Sequence, residues 1–161
     1  MKQANSRHCF VCGLENPAGL HLHFYESAPG EVTADYTVEK QHQGYPGIVH
    51  GGIVAAMLDE VTGRVHMGPT SKPRFMFTAR LDVRYRKPVP VGKPLRLVGK
   101  AGEGKSRTAI AKGYLYGPEG ELLAEAEAIL VNVPESMVDQ ADLEALGWKV
   151  YPDEEGEVAD G

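Results

Sequence analysis

Three residue types in one short stretch could do chemistry together: His50, Gly51 and Asp59, within Pro46-Gly-Ile-Val-His-Gly-Gly-Ile-Val-Ala-Ala-Met-Leu-Asp-Glu60. A Pro-Gly turn leads into the His-Gly-Gly run, and an apolar, helix-competent segment follows. Two glycines at the head of a helix leave backbone N–H groups that a ligand oxygen can approach closely. The Gly51 N–H, at the positive end of the helix beside His50, would face a developing oxyanion, and one such donor is worth about 3 kcal/mol in a barrier. Asp59 would activate water as general base, or attack a carbonyl itself. Thr78 could hydrogen-bond the charged carboxylate or position the water. His50 and Asp59 stand nine residues apart. That spacing is about half a turn out of phase with a rise of roughly 13 Å. Two such groups reach one reacting atom only if they come from different subunits, so this chemistry requires a two-fold dimer with sites at the interface.

Plainer readings compete. His-Gly-Gly is often only a turn before a helix. Asp59 and Glu60 could share a solvated face, or Glu60 could pair with Arg64 four residues on. Adjacent helical residues point ~100° apart, so one of the two carboxylates is expected to face a site. Asp59, three residues after Ala56, is the expected inward one, and Glu60 the surface neighbour.

These residues need positioning elements. With 161 residues and 42% hydrophobic content the chain can bury one modest core. No apolar run reaches the ~18 residues of a spanning helix, and no signal-like apolar core follows the N-terminus, so the expectation is a soluble cytoplasmic protein without a membrane partner. Residues 20–25 and 31–38 are expected as strands around the Pro29-Gly30 turn, then a loop over 41–49 and a helix from Gly51 to about Met67. Its expected apolar stripe is Ile53, Ala56, Met57, Val61 and Val65. Leu81, Val83 and Tyr85 alternate with charged residues in period two. Strands are expected at 95–100, 108–116 and 122–133, the last two joined by a Gly-Pro-Glu-Gly hairpin. A short helix is expected over 138–146, and Asp153 to Gly161 reads as a disordered acidic tail. The division is a turn-rich segment over 1–19, a domain over 20–134 and a C-terminal piece over 135–161. One helix packed on a curved antiparallel sheet is the economical arrangement, an α+β fold whose open edges a dimer would pair.

The net charge is −5, unevenly spread: nine Lys or Arg against two acids between Arg80 and Arg107, and thirteen acids against Lys149 from Glu119 onward. A basic middle suits a phosphorylated ligand as well as a solvated strand face. An acidic chain without a recognition motif argues against nucleic acid.

The sequence resembles the hotdog-fold acyl-CoA thioesterases, in the branch of the phenylacetate-pathway thioesterase and the mammalian thioesterase-superfamily members. The matching segments run from Cys9-Phe-Val-Cys-Gly-Leu-Glu-Asn-Pro-Ala-Gly-Leu20 through Pro46–Gly52, Met57-Leu-Asp59 and Thr78–Pro88 to Gly120–Glu127. The resemblance implies a long central helix wrapped by an antiparallel sheet, dimers or tetramers built from dimers, and hydrolysis of an acyl-CoA thioester to free acid and CoA without a cofactor. It implies Asp59 as nucleophile or general base, Gly51 as oxyanion donor and Thr78 as assistant. Some relatives carry an Asn six residues before the His, where this chain has Gly44; His42, Gln43 and Tyr45 are the candidates to supply a polar group in that loop. Arg86, Lys87, Lys105 and Arg107 are candidate contacts for CoA phosphates, Arg by bidentate geometry and Lys as a point charge.

Cys9-x-x-Cys12 with His8, His21 and His23 nearby invites a zinc reading. Four-coordinate sites usually need two such pairs and the histidine spacing is irregular, while the resemblance implies a structural turn, so no metal is expected. No βαβ pattern supports a redox pair, and no Gly-x-Ser-x-Gly supports a serine hydrolase. The alternative function is a non-catalytic acyl-CoA-binding hotdog protein, since fold does not fix function; the retained Asp59 and Thr78 argue against it. Enoyl-CoA hydration would need an Asp–His hydration motif that this sequence lacks.

Overall fold

The computed structural model describes residues 1–138 and 140–153. One sheet of six antiparallel strands holds the long helix. The elements are β1 (Tyr25–Ala28), β2 (Glu31–Thr37), α1 (Gly51–Arg64), β3 (Met76–Tyr85), β4 (Pro94–Gly104), β5 (Thr108–Tyr116), β6 (Leu122–Asn132) and α2 (Gln140–Ala145). The sheet order is β1-β2-β4-β5-β6-β3. The chain crosses α1 between β2 and β3, so β3 lands on the far edge, beside β6. The beyond-153 part of the expected acidic tail lies outside the described residues.

α1 begins where the sequence predicts it. His50 is its N-cap and accepts the Gly52 N–H at Nδ1, 2.9 Å away, satisfying one of the orphan donors of the first turn. The helix stops at Arg64, a few residues before the expected end, as the chain turns toward the Gly68-Pro69 break. The buried face differs from the expected stripe. Val54, Met57, Leu58, Val61 and Thr62 are buried, whereas Ile53 and Ala56 are only half-buried. The buried face keeps Met57, Val61 and Val65 of that stripe and extends onto Val54, Leu58 and Thr62, because the sheet wraps the helix over more than a narrow seam. Gly99 and Gly113 let β4 and β5 approach the helix backbone. A Cβ at Gly99 would meet the Val61 carbonyl oxygen at 2.7 Å.

Leu20 to Phe24 is not a ladder strand. It is extended chain tied by single bonds, Leu20 N–H to Phe10 O and Leu22 N–H to Val11 O, and the regular strand starts only at Tyr25. Its side chains Leu20, Leu22 and Phe24 are buried nonetheless, so the apolar alternation reported burial rather than pairing. The 108–116 and 122–132 strands and their turn match expectation, with Gly120 at φ 78°. The terminal segments meet: Asn5 exchanges backbone bonds with Lys149, and the Arg7 N–H donates to Leu146 O at 2.9 Å. Together they close over the C-terminal end of α1.

Candidate active site

Asp59 sits half-buried in the third turn of α1, facing β3. The Thr78 hydroxyl donates to its Oδ1 at 2.6 Å. A β-bulge makes this contact. The β3–β6 register pairs Thr78 with Leu130, then shifts so that Arg80 faces Ile129 and Leu81 faces Ala128. Without the extra residue, Thr78 would point to the opposite face from Leu81, because strand faces alternate. With it, Thr78 joins the helix-facing side. The pair opens onto a cavity of about 660 Å³ whose walls are largely apolar: Met67, Phe75, Met76, Val133, Leu146 and Trp148. The N- and C-terminal segments supply much of that wall, which hydrophobic periodicity over the central strands had no means of placing.

Gly51 lies at the other end of the helix. His50 already caps Gly52, and no acceptor takes the Gly51 N–H among the described residues. Its carbonyl accepts the Tyr85 hydroxyl at 2.7 Å. A second cavity, also about 660 Å³, is lined here by Gly44, Tyr45, His50, Gly51, Arg86 and Lys87. The two cavities share no lining residue. Within one chain, therefore, Asp59 and Gly51 open into different spaces, as the helical spacing predicts. Gly44 packs against the His50 backbone, and a Cβ there would meet His50 Cα at 3.2 Å. Of the residues weighed as polar substitutes, His42 is buried on Ala18 O, Gln43 accepts the Gly47 N–H, and Tyr45 is exposed beside the cavity.

The four basic candidates fall into two groups at opposite ends of β6. Arg86 and Lys87 both donate backbone N–H groups to Leu123 O and border the Gly51 cavity, and the Arg86 guanidinium lies 3.1 Å from Glu125. Lys105 and Arg107 occupy the β4–β5 turn beside Asn132, with Lys105 4.0 Å from Glu103.

Glu60 departs from expectation. It lines the same cavity as Asp59, and its partner Arg64 is one of the most buried side chains in the protein. Arg64 Nε donates to Glu60 Oε1 at 2.8 Å, so the predicted i,i+4 pair forms, but inside. Arg64 Nη1 donates to Ala4 O at 2.9 Å, and the guanidinium stacks over the Phe24 ring. The missed signal was the pairing itself: an arginine can be buried when a carboxylate, a carbonyl and aromatic faces receive it. Both carboxylates fit one cavity because the terminal segments fold around the helix end and cover more than one of its faces.

Cys9 and Cys12 line this cavity too. The Cys12 N–H points to Cys9 Sγ at 3.4 Å. A hydrogen bond from the Cys12 thiol, opposed by burial and by Glu60, lowers the Cys9 pKa to about 6, and the same bond with burial pushes Cys12 up.

A six-stranded antiparallel sheet curled around one long helix defines the hotdog class. Residues 46–124 match the family described as Thioesterase superfamily. Among curated relatives, the acyl-coenzyme A thioesterase THEM4 of Xenopus laevis is 26% identical over 111 residues, covering 68% of this chain and 49% of the relative. The chain thus spans about half the length of that relative. A solved thioesterase superfamily protein aligns at TM-score 0.70 with 32% identity, covering 78% of this chain and 63% of that one. A Streptococcus mutans protein solved bound to acetyl CoA shares the fold at TM-score 0.63 and 19% identity, over 70% of this chain and 88% of that one.

Proposed function

We propose that this protein hydrolyses acyl-CoA thioesters at composite sites, each built from Asp59 of one copy and Gly51 of another. The hydrogen bond from Thr78 to Asp59 at the mouth of an apolar cavity carries the reading. That bond leaves Asp59 Oδ2 available for water or for the thioester carbonyl carbon. The apolar cavity suits an acyl chain. The free Gly51 N–H suits the oxyanion that forms when the carbonyl is attacked. The C–S bond then breaks and the CoA thiolate takes the proton of the attacking water, or, where Asp59 attacks first, water afterwards hydrolyses the acyl–Asp59 anhydride and supplies that proton.

The edge strand supports the composite arrangement. β3 is ten residues long, exposed along most of its length, and among the described residues pairs with β6 alone. Such an edge invites pairing with a second copy. Two β3 strands paired antiparallel about their midpoint bring the Thr78 end of one beside the Tyr85 end of the other. Tyr85 holds Gly51, so the partner's half-site arrives next to Asp59. Arg86 and Lys87 come with it and would meet the CoA phosphates at the rim. Lys105 and Arg107, on the Asp59 side of the same chain, would approach from the other wall. Dimers of this kind could assemble further into tetramers.

The THEM4 relative and the CoA-bound streptococcal protein support an acyl-CoA substrate. No helix among the described residues is long and apolar enough to cross a membrane, and we place the activity in the cytoplasm. A panel of acyl-CoAs assayed by free-thiol release is the test. Wild type turns over at least one class, and Asp59→Ala loses ~10³-fold or more of kcat while still binding CoA. A wild-type protein that binds acyl-CoAs without thiol release would instead establish the non-catalytic binding module.

A further inference from the structure

The cavity that Thr78 and Asp59 border also holds a cluster that thioester hydrolysis does not use. Cys9 Sγ, Cys12 Sγ and a Glu60 carboxylate oxygen all lie within 4.8 Å of one another, and Cys9 Sγ stands 4.0 Å from Glu60 Oε2. Sulfur and oxygen donors around a tetrahedral zinc ion lie about 3.5–3.8 Å apart, so a contraction of at most about 1.3 Å would close the set. We propose that Cys9, Cys12 and Glu60 form a three-ligand site for a thiophilic divalent cation of the zinc class.

Each donor is already oriented by a neighbour. The Cys12 N–H points to Cys9 Sγ, the Ser6 hydroxyl lies 3.6 Å from Cys12 Sγ, and Arg64 Nε holds Glu60 by Oε1. Arg64 thereby leaves Oε2 turned to the sulfurs. Outer partners of this kind fix ligand geometry in metal sites. Gly13 makes the cysteine turn possible, because a Cβ there would sit 2.3 Å from Cys9 O. The charges also balance. Two thiolates and a carboxylate sum to −3, and a divalent cation with the buried Arg64 guanidinium returns the cluster to zero. Both sulfurs bind as thiolates, and any thiol proton still held passes to solvent as the two metal–sulfur bonds form. The histidines weighed from sequence take no part; Glu60, brought over from α1, supplies the third donor. No fourth donor of these types joins the group among the described residues. The fourth position opens to the cavity, an arrangement of three protein ligands plus an exchangeable one.

The test uses the reduced full chain, dialysed free of metal and titrated with Zn²⁺, with Co²⁺ as a spectroscopic probe. One Zn²⁺ per chain is retained through gel filtration, and Co²⁺ gives an intense thiolate charge-transfer band. Cys9→Ser abolishes both. Glu60→Gln weakens Zn²⁺ binding by about tenfold or more while keeping the band. Asp59→Ala binds Zn²⁺ like wild type, so loss of hydrolysis and loss of metal are read separately. Cys9 is only half-buried, and a thermal melt confirms that its serine variant is folded. Absence of stoichiometric Zn²⁺ in the wild type, or equal binding by folded Cys9→Ser, overturns the proposal, the latter marking an adventitious ion only.

Discussion

Thr78 is the smallest part of the proposed machinery and the most discriminating one to change. Its hydroxyl gives Asp59 a single 2.6 Å bond. Thr78→Val keeps the volume and the strand propensity and removes only that donor. We expect kcat for acyl-CoA hydrolysis to fall about 10–100-fold with KM little changed, because positioning of a base acts mainly on the chemical step. Steady-state kinetics on one good substrate checks it. Arg64 is a structural counterpart. Its side chain is 1% exposed and joins Glu60, Ala4 O and two aromatic faces. Arg64→Ala leaves a buried carbonyl and a half-buried carboxylate without their partner, and urea titration is expected to show a loss of about 2–3 kcal/mol. The contact of Thr78 with Asp59 and the separation of Gly51 from Asp59 within one chain were both expected from the sequence. The inward turn of Glu60 and the burial of Arg64 were not, because an i,i+4 pair reads identically on a solvated face and beneath a covering segment. Only the folded termini make the difference.

At the scale of elements, α1 and the β5–β6 hairpin were legible because period and turn residues agree there. β3 was only half legible. Its alternation from Leu81 onward is regular, but the bulge between Thr78 and Arg80 breaks the period just where the candidate site begins. A one-residue shift that turns Thr78 toward the helix leaves no mark in a hydrophobicity pattern. Helix and sheet meet most closely at Gly99, where an added Cβ would lie 2.7 Å from Val61 O and 2.8 Å from Val65 Cγ1. Gly99→Ala must push β4 from α1. A destabilisation of about 2 kcal/mol is expected in chemical denaturation, with the residual activity per folded molecule reduced if α1 shifts Asp59 from Thr78.

At the scale of the molecule, one chain keeps Asp59 and Gly51 in two cavities without a common wall residue. Catalysis by both then requires a second copy along β3, and that is the central claim. Two inactive variants can be combined to test it. Asp59→Ala removes the base. Gly51→Pro removes the N–H at the first helical position, where proline fits the helix and where the His50 ψ of 135° already suits a following proline. A Cβ at Gly51 makes only ordinary contact with Tyr85, at 3.6 Å. Each variant alone is expected to lose at least ~10²-fold in kcat. Co-expressed and purified as the mixed dimer through two different tags, they rebuild one intact site of the two. The measurement is thioester turnover of that mixed dimer: about half the wild-type rate per dimer is the expected result, and a mixed dimer as inactive as its parents would contradict the composite site.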